Sequence, residues 1–157
     1  MMEWLTLAGF VAAVLAAGST GAMFPPGDWY KTLKKPAWTP PNWLFPLAWT
    51  ALYAAIAYAA WRVSRQPIEV AAPALAFWAA QNTINALWSP VFFGLHRIGA
   101  ALVVVSALWA GVAATLVLFL RADPVAGLLI LPYLVWVSYA TALNARIWRD
   151  NPRAPGS

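Results

Sequence analysis

The sequence predicts an all-α integral membrane protein of one domain, residues 1–157: a bundle of five transmembrane helices with a structured Trp/Pro-rich first loop. Three observations lead there. The chain is 62% hydrophobic and only 10% charged, against roughly 25% charged in an ordinary soluble domain, so it cannot clothe a water-facing surface. Its apolar residues fall into five runs of about 20, each long enough to cross a hydrocarbon core roughly 30 Å thick at 1.5 Å per residue. The runs are continuous and Ala/Leu-rich rather than alternating, which disfavours barrel strands.

The first run is 5–24. Its leading residues Met-Met-Glu-Trp carry no basic group, so a span is favoured over a cleaved signal peptide despite the small-residue stretch "LAAGS". The break that follows, "PPGDWYKTLKKPAWTPPN", places Pro36, Trp38, Pro40, Pro41 and Trp43 within eight residues. "PAWTPP" lacks the amide donors and the permitted dihedrals for a helix and predicts a stiff, ring-studded loop. The second run is 43–61, the third 73–95 after "RVSRQPIEVAA", the fourth 98–120 after "HR", and the fifth 125–148 after "RADP". A short flexible tail is expected over 150–157.

Five spans put the termini on opposite sides. The side with the first and third loops and the tail holds Lys31, Lys34, Lys35, Arg97, Arg146, Arg149 and Arg153, against Arg62, Arg65 and Arg121 on the other. The positive-inside rule then predicts the N-terminus out and the C-terminus cytoplasmic. Short basic clusters flanking apolar runs argue for membrane lipid and against nucleic acid as the partner of the net charge of +5. The absence of Cys removes thiol chemistry and thiolate ligation.

The carboxylates Glu3, Asp28, Glu69, Asp123 and Asp150 all fall in loops or at span ends, which disfavours a proton-driven relay at membrane depth. Five spans also do not divide into two inverted halves. The single His96, beside Arg97 in the shortest loop, reads as a solvated or headgroup-facing residue rather than a metal ligand. What the spans do hold is neutral hydrogen-bonding groups and rings at helical spacing. Gln81, Asn85, Trp88 and Phe92 share one face of the third span, Trp49 and Tyr53 stand one turn apart in the second, and Tyr133, Trp136, Ala140 and Leu143 line a stripe of the fifth. Amides are costly in hydrocarbon unless paired, so these faces point into the bundle. Asn82 and Asn144 read as helix-joining groups, and Trp4, Trp61 and Trp148 as interfacial anchors. Trp49, Tyr53, Asn85, Trp88 and Trp136 suit either core packing or the wall of a site for a large flat apolar ligand.

"WYKTLKKPAWTPPNWLFPLAWTALY", "NALWSPVFFG" and "PYLVWVSYATALNARIWRDN", in this order, resemble the translocator protein family, also called the peripheral benzodiazepine receptor or tryptophan-rich sensory protein family. The resemblance implies a five-helix bundle, commonly a homodimer, that binds porphyrins such as protoporphyrin IX and benzodiazepine- or isoquinoline-type ligands, with no cofactor required and no metal. It implies a link to tetrapyrrole regulation or transport and, for this chain, a bacterial cytoplasmic membrane. The pocket residues carried over are Trp38, Trp49, Tyr53, Asn85, Trp88, Trp136, Ala140 and Leu143, with Trp49 and Asn85 as the polar contacts and the first loop as a lid on which Trp38 and Trp29 face the ligand. Light- and oxygen-dependent porphyrin degradation through Trp49 or Trp136, and facilitated transport of amphiphiles, are the competing functions. Where animal members have a Tyr after Leu-Asn at the end of the fifth helix, this chain has Ala145, which makes sterol binding doubtful.

Overall fold

The computed structural model describes residues 2–154, and all of the regular structure within them is helical. The elements are α1 (Met2–Met23), α2 (Asp28–Thr32), α3 (Leu44–Val63), α4 (Ile68–Ser89) continued by one π-helical turn (Pro90–Gly94), α5 (Ile98–Ala122) and α6 (Pro124–Asp150). Four of these, over Glu3–Met23, Leu44–Val63, Ile98–Ala122 and Pro124–Asp150, are long and apolar enough to cross a membrane. The chain is a multi-pass membrane protein. α4 matches them in length at 22 residues but carries Glu69, Gln81, Asn82 and Asn85, which is why it does not join the apolar set. Gln81, Asn82 and Asn85 are all buried inside the bundle.

Helix boundaries differ from the apolar runs where charge and Pro hide them. α4 begins at Ile68, directly after Pro67, five residues before the expected start: Glu69 lies in the first turn, where amides have no helical partner, and Pro73, at the sixth position, forgoes one ladder bond without ending the helix. α6 begins inside "RADP": the Asp123 carboxylate accepts from the Val125 and Ala126 amides at 2.9 and 3.1 Å, and Pro124 takes the first helical position. α6 also runs to Asp150, so the expected tail starts later, and Asn151 is fixed by hydrogen bonds. Residues 155–157 of that tail lie outside the described residues. The first loop holds the short α2 in its front half, while "PAWTPP" is helix-free.

The long helices close a ring in the order α1, α3, α6, α5, α4 and back to α1. The central core is made largely of small and branched side chains, among them Ile56, Ala59, Ala60, Ala74, Val112 and Ile130, with Trp78, Phe119 and Tyr133 as its large rings. A second cluster, Tyr30, Leu33, Phe92, Ile98, Leu143 and Ile147, lies at the end that carries the first loop. At the opposite end Arg62 pairs with Asp123 at 2.9 Å and Arg65 with Glu3 at 3.2 Å. Large apolar side chains such as Leu5, Leu47, Val103, Leu128 and Val135 face outward, as a lipid-facing surface requires.

Candidate ligand-binding cavity

Between α1, α3, α4 and α6, beneath the first loop, lies a cavity of about 640 Å³, within the range of small-molecule sites. Its walls come from Gly18 and Gly21 of α1, Phe45, Trp49 and Tyr53 of α3, Asn85 and Trp88 of α4, Phe92 and Phe93 of the π turn, and Ala140, Leu143 and Asn144 of α6. Pro26, Tyr30 and Asn42 close the loop end. α5 contributes no wall residue; it packs behind, against α4 and α6.

Local sequence explains how each wall is shaped. A Cβ on Gly18 would lie 2.5 Å from Tyr53 Cε2, so only Gly lets the tyrosine ring lie against α1. Pro90 has no amide hydrogen, so the ladder of α4 changes register there, and the Leu95 amide donates back to the Pro90 carbonyl at 2.8 Å. The extra residue in that turn swings Phe92 under Trp88, stacked at 4.9 Å, with Phe93 edge-on to Phe92 at 4.8 Å. Trp49 and Tyr53, one turn apart, stack at 5.2 Å.

The polar groups are uncharged, and they include the hydroxyls of Ser19, Thr20, Thr50 and Ser89. The Asn85 amide donates to the Tyr53 hydroxyl at 3.1 Å, and the Trp88 indole N–H donates to Asn144 Oδ1 at 3.0 Å, while the Asn144 amide donates to the Ile98 carbonyl at 3.0 Å. Deeper in the bundle Tyr133 donates to Gln81 Oε1 at 2.8 Å, and Gln81 Nε2 has no partner. Burial pushes the Tyr30 phenol above its ordinary pKa, with Tyr139 adding to the shift, so it stays neutral at physiological pH. No Asp, Glu, Lys or Arg lines the cavity, and the described residues contain no group of three or more His, Asp or Glu that could hold a metal. Such a surface suits a large, flat, mainly apolar molecule oriented by a few hydrogen bonds.

Of the residues the sequence nominated, Trp49, Tyr53, Asn85, Trp88, Ala140 and Leu143 are on the wall. Trp136 is one layer back, its ring 6.4 Å from Trp49 and 5.9 Å from Phe45. Trp38 is nearly half exposed and packs edge-on against Tyr139 at 5.5 Å, outside the lining. Trp29 turns to the α4–α5 connection, stacked on His96 at 4.2 Å. His96 has φ of 56°, a left-handed conformation that the tight turn into α5 imposes. Asn144 joins helices as expected and also lines the cavity, whereas the Asn82 amide bonds within its own helix, to Trp78. Gly18, Phe45, Phe92, Phe93 and Tyr30 were not singled out from sequence as wall residues. The "SPVFFG" run held a signal for two of them, since a Pro ending an aromatic-faced helix re-aims the rings behind it.

The sequence matches the TspO/MBR family over residues 10–149. It is 51% identical over 153 residues to Protein CrtK of Rhodobacter capsulatus, covering 96% of each chain. It is 47% identical over 154 residues to the Tryptophan-rich sensory protein of Cereibacter sphaeroides, covering 98% of this chain and 96% of that one. With the Translocator protein of Homo sapiens it shares 35% identity over 154 residues, 94% of this chain and 91% of the human one. These matches run through all of the long helices and the whole cavity wall, and the chain belongs to the TspO/MBR family.

Proposed function

We propose that the protein is a sensor-like membrane receptor whose cavity binds protoporphyrin IX or a related flat tetrapyrrole, and accepts benzodiazepine- or isoquinoline-type ligands in the same place. The observation that carries this reading is the uncharged, ring-lined cavity of about 640 Å³, in which the side-chain polar groups are hydroxyls, amides and the indole N–H groups of Trp49 and Trp88. Protein names among the relatives, sensory in one and translocator in another, accord with ligand capture linked to signalling or movement of the ligand. In this reading α4 is the fifth span, its amides turned inward, and the protein sits in a bacterial cytoplasmic membrane with the C-terminus cytoplasmic. It works as a homodimer, with close helix contacts available at Gly9 and Ala13 of α1 and at Ala76 and Ala80 of α4.

The test is titration of the purified protein in nanodiscs with protoporphyrin IX, following Trp fluorescence. Saturable quenching that Ala140→Phe abolishes and the interfacial control Trp4→Ala preserves is the expected result. Quenching that is linear in porphyrin, or equal in both variants, overturns the assignment. A C-terminal reporter fusion that behaves as periplasmic overturns the orientation.

A further inference from the structure

The first loop is held down in two different ways. α2 is held by apolar burial: Tyr30 and Leu33 are each 7% exposed and pack with Phe92, Leu143 and Ile147. The strap that follows, 34–43, has no such anchor. Lys34, Ala37, Trp38, Pro41, Asn42 and Trp43 are exposed, yet Asn42 completes the cavity wall.

What fastens the strap is polar: at its start the Lys35 ammonium donates to the Tyr30 and Leu33 carbonyls at 2.6 and 3.1 Å, and the other ties come from the far end of the chain. The Lys34 amide donates to Asn151 Oδ1 at 2.9 Å, and Asn151 Nδ2 donates back to the Lys34 carbonyl at 2.9 Å and to the Ile147 carbonyl at 2.8 Å. One side chain thus pairs both main-chain groups of Lys34, as a neighbouring strand would, and ties them to the last turn of α6. Four residues on, the Tyr139 hydroxyl donates to the Trp38 carbonyl at 2.6 Å. Pro36, Pro40 and Pro41 stiffen what lies between and beyond these points, so once both are released the strap swings as a unit about its Lys35 tie to α2.

We propose that Asn151 is a positioning residue for ligand binding: with Tyr139 it latches the 34–43 strap over the cavity, and release of this latch sets the rate at which ligand passes in and out. This rests on the reading of the cavity as a ligand site. Exposed hydrogen bonds of this kind are modest individually and open far more readily than the buried α2 contacts, so the strap is the part of the lid that opens.

The chain has no Cys, which permits a ligand-independent measurement. In an Ala140→Cys reporter, whose position lies on the cavity wall beside Tyr139, labelling by a charged, membrane-impermeant maleimide reports opening towards water. Asn151→Ala is expected to raise that labelling rate about tenfold, the factor that roughly 1.4 kcal/mol of lost latch corresponds to; Tyr139→Phe should raise it by less. In the otherwise native protein, stopped-flow quenching with protoporphyrin IX should show association and dissociation rates rising together in Asn151→Ala, with little change in Kd. A residue that merely supports the bound state would raise the dissociation rate alone. An unchanged labelling rate in both variants, or an association rate that does not move, overturns the latch and points to access sideways from the bilayer. Faster labelling with no saturable porphyrin binding in the native protein leaves the latch standing and removes the tetrapyrrole reading instead.

Discussion

The Asn85 side-chain amide donates to the Tyr53 hydroxyl at 3.1 Å, joining α4 to α3 on the cavity wall. Tyr53→Phe leaves that amide without its acceptor in a mostly buried position, at a cost of about 1–3 kcal/mol. Asn85→Leu removes the donor and keeps the apolar volume. Both variants should weaken ligands bearing hydrogen-bonding groups more than they weaken protoporphyrin, as measured by competitive titration in nanodiscs. Equal losses for both ligand classes would show that the pair only braces the helices.

Gly18 and Gly127 make different forecasts for ligand affinity from the same chemistry. Gly18→Ala forces the Tyr53 ring off α1 and into the cavity, and overpacking of this kind costs about 1–3 kcal/mol; ligand affinity should fall together with stability. Gly127→Ala places its Cβ 2.7 Å from the Leu120 backbone nitrogen at the α5–α6 corner, remote from the cavity wall. Thermal stability should drop while the Kd of the folded fraction is unchanged. A Gly127→Ala protein with altered affinity would contradict this separation.

Asp123 couples α6 to α3 and gives the bundle an acid limit. Burial alone would raise its pKa, but the Ala126 amide, the Arg62 guanidinium and the Val125 amide together hold the carboxyl below its ordinary 3.8. Because the folded value is the lower one, the stabilisation is fully present above the ordinary pKa and is lost as pH falls through the folded value. Melting temperature followed from about pH 6 down to about pH 3 should therefore fall at the acid end, and Asp123→Asn should flatten that part of the profile. Asp123→Ala, which also removes the α6 cap, should lower stability by about 1 kcal/mol or more at neutral pH.

Trp136 stands behind Trp49, so its effect on ligand passes through another ring. Trp49→Ala should weaken porphyrin binding by about 1–3 kcal/mol, with Trp136→Ala causing a smaller loss and the double variant less than the sum of the two. A larger effect from Trp136→Ala would mean that Trp49 swings aside when ligand binds.

Much of the architecture was legible because lipid imposes a crude rule, about 20 apolar residues per crossing, that composition alone reveals. The stripe of Gln81, Asn85, Trp88 and Phe92 was legible for a related reason: amides cannot face hydrocarbon, so their spacing marks the inner face. Three things were hidden. Distinguishing a wall ring from the ring behind it depends on where neighbouring helices stand, and helical spacing gives Trp49 and Trp136 equal standing. The family resemblance puts Trp38 on the ligand side of the first loop, but its backbone carbonyl is taken by Tyr139, 101 positions away, and no local pattern encodes such a partner. The start of α6 is legible too, since Asp followed by Pro is a helix-start signal, but it reads as a polar break when only hydropathy is weighed.

The ring order of the helices also bears on biogenesis. α6, which follows the other described helices, packs between α3 and α5 and, with its C-cap Asn151, supplies Ala140, Leu143 and Asn144 of the cavity and the Asn151 and Tyr139 fasteners of the strap. A nascent chain released as far as Arg121 has only an open groove between α1, α3 and α4, and its Trp88 indole lacks the Asn144 acceptor. Without α6 the cavity has no fourth wall, so enclosure of the pocket depends on the docking of that one helix.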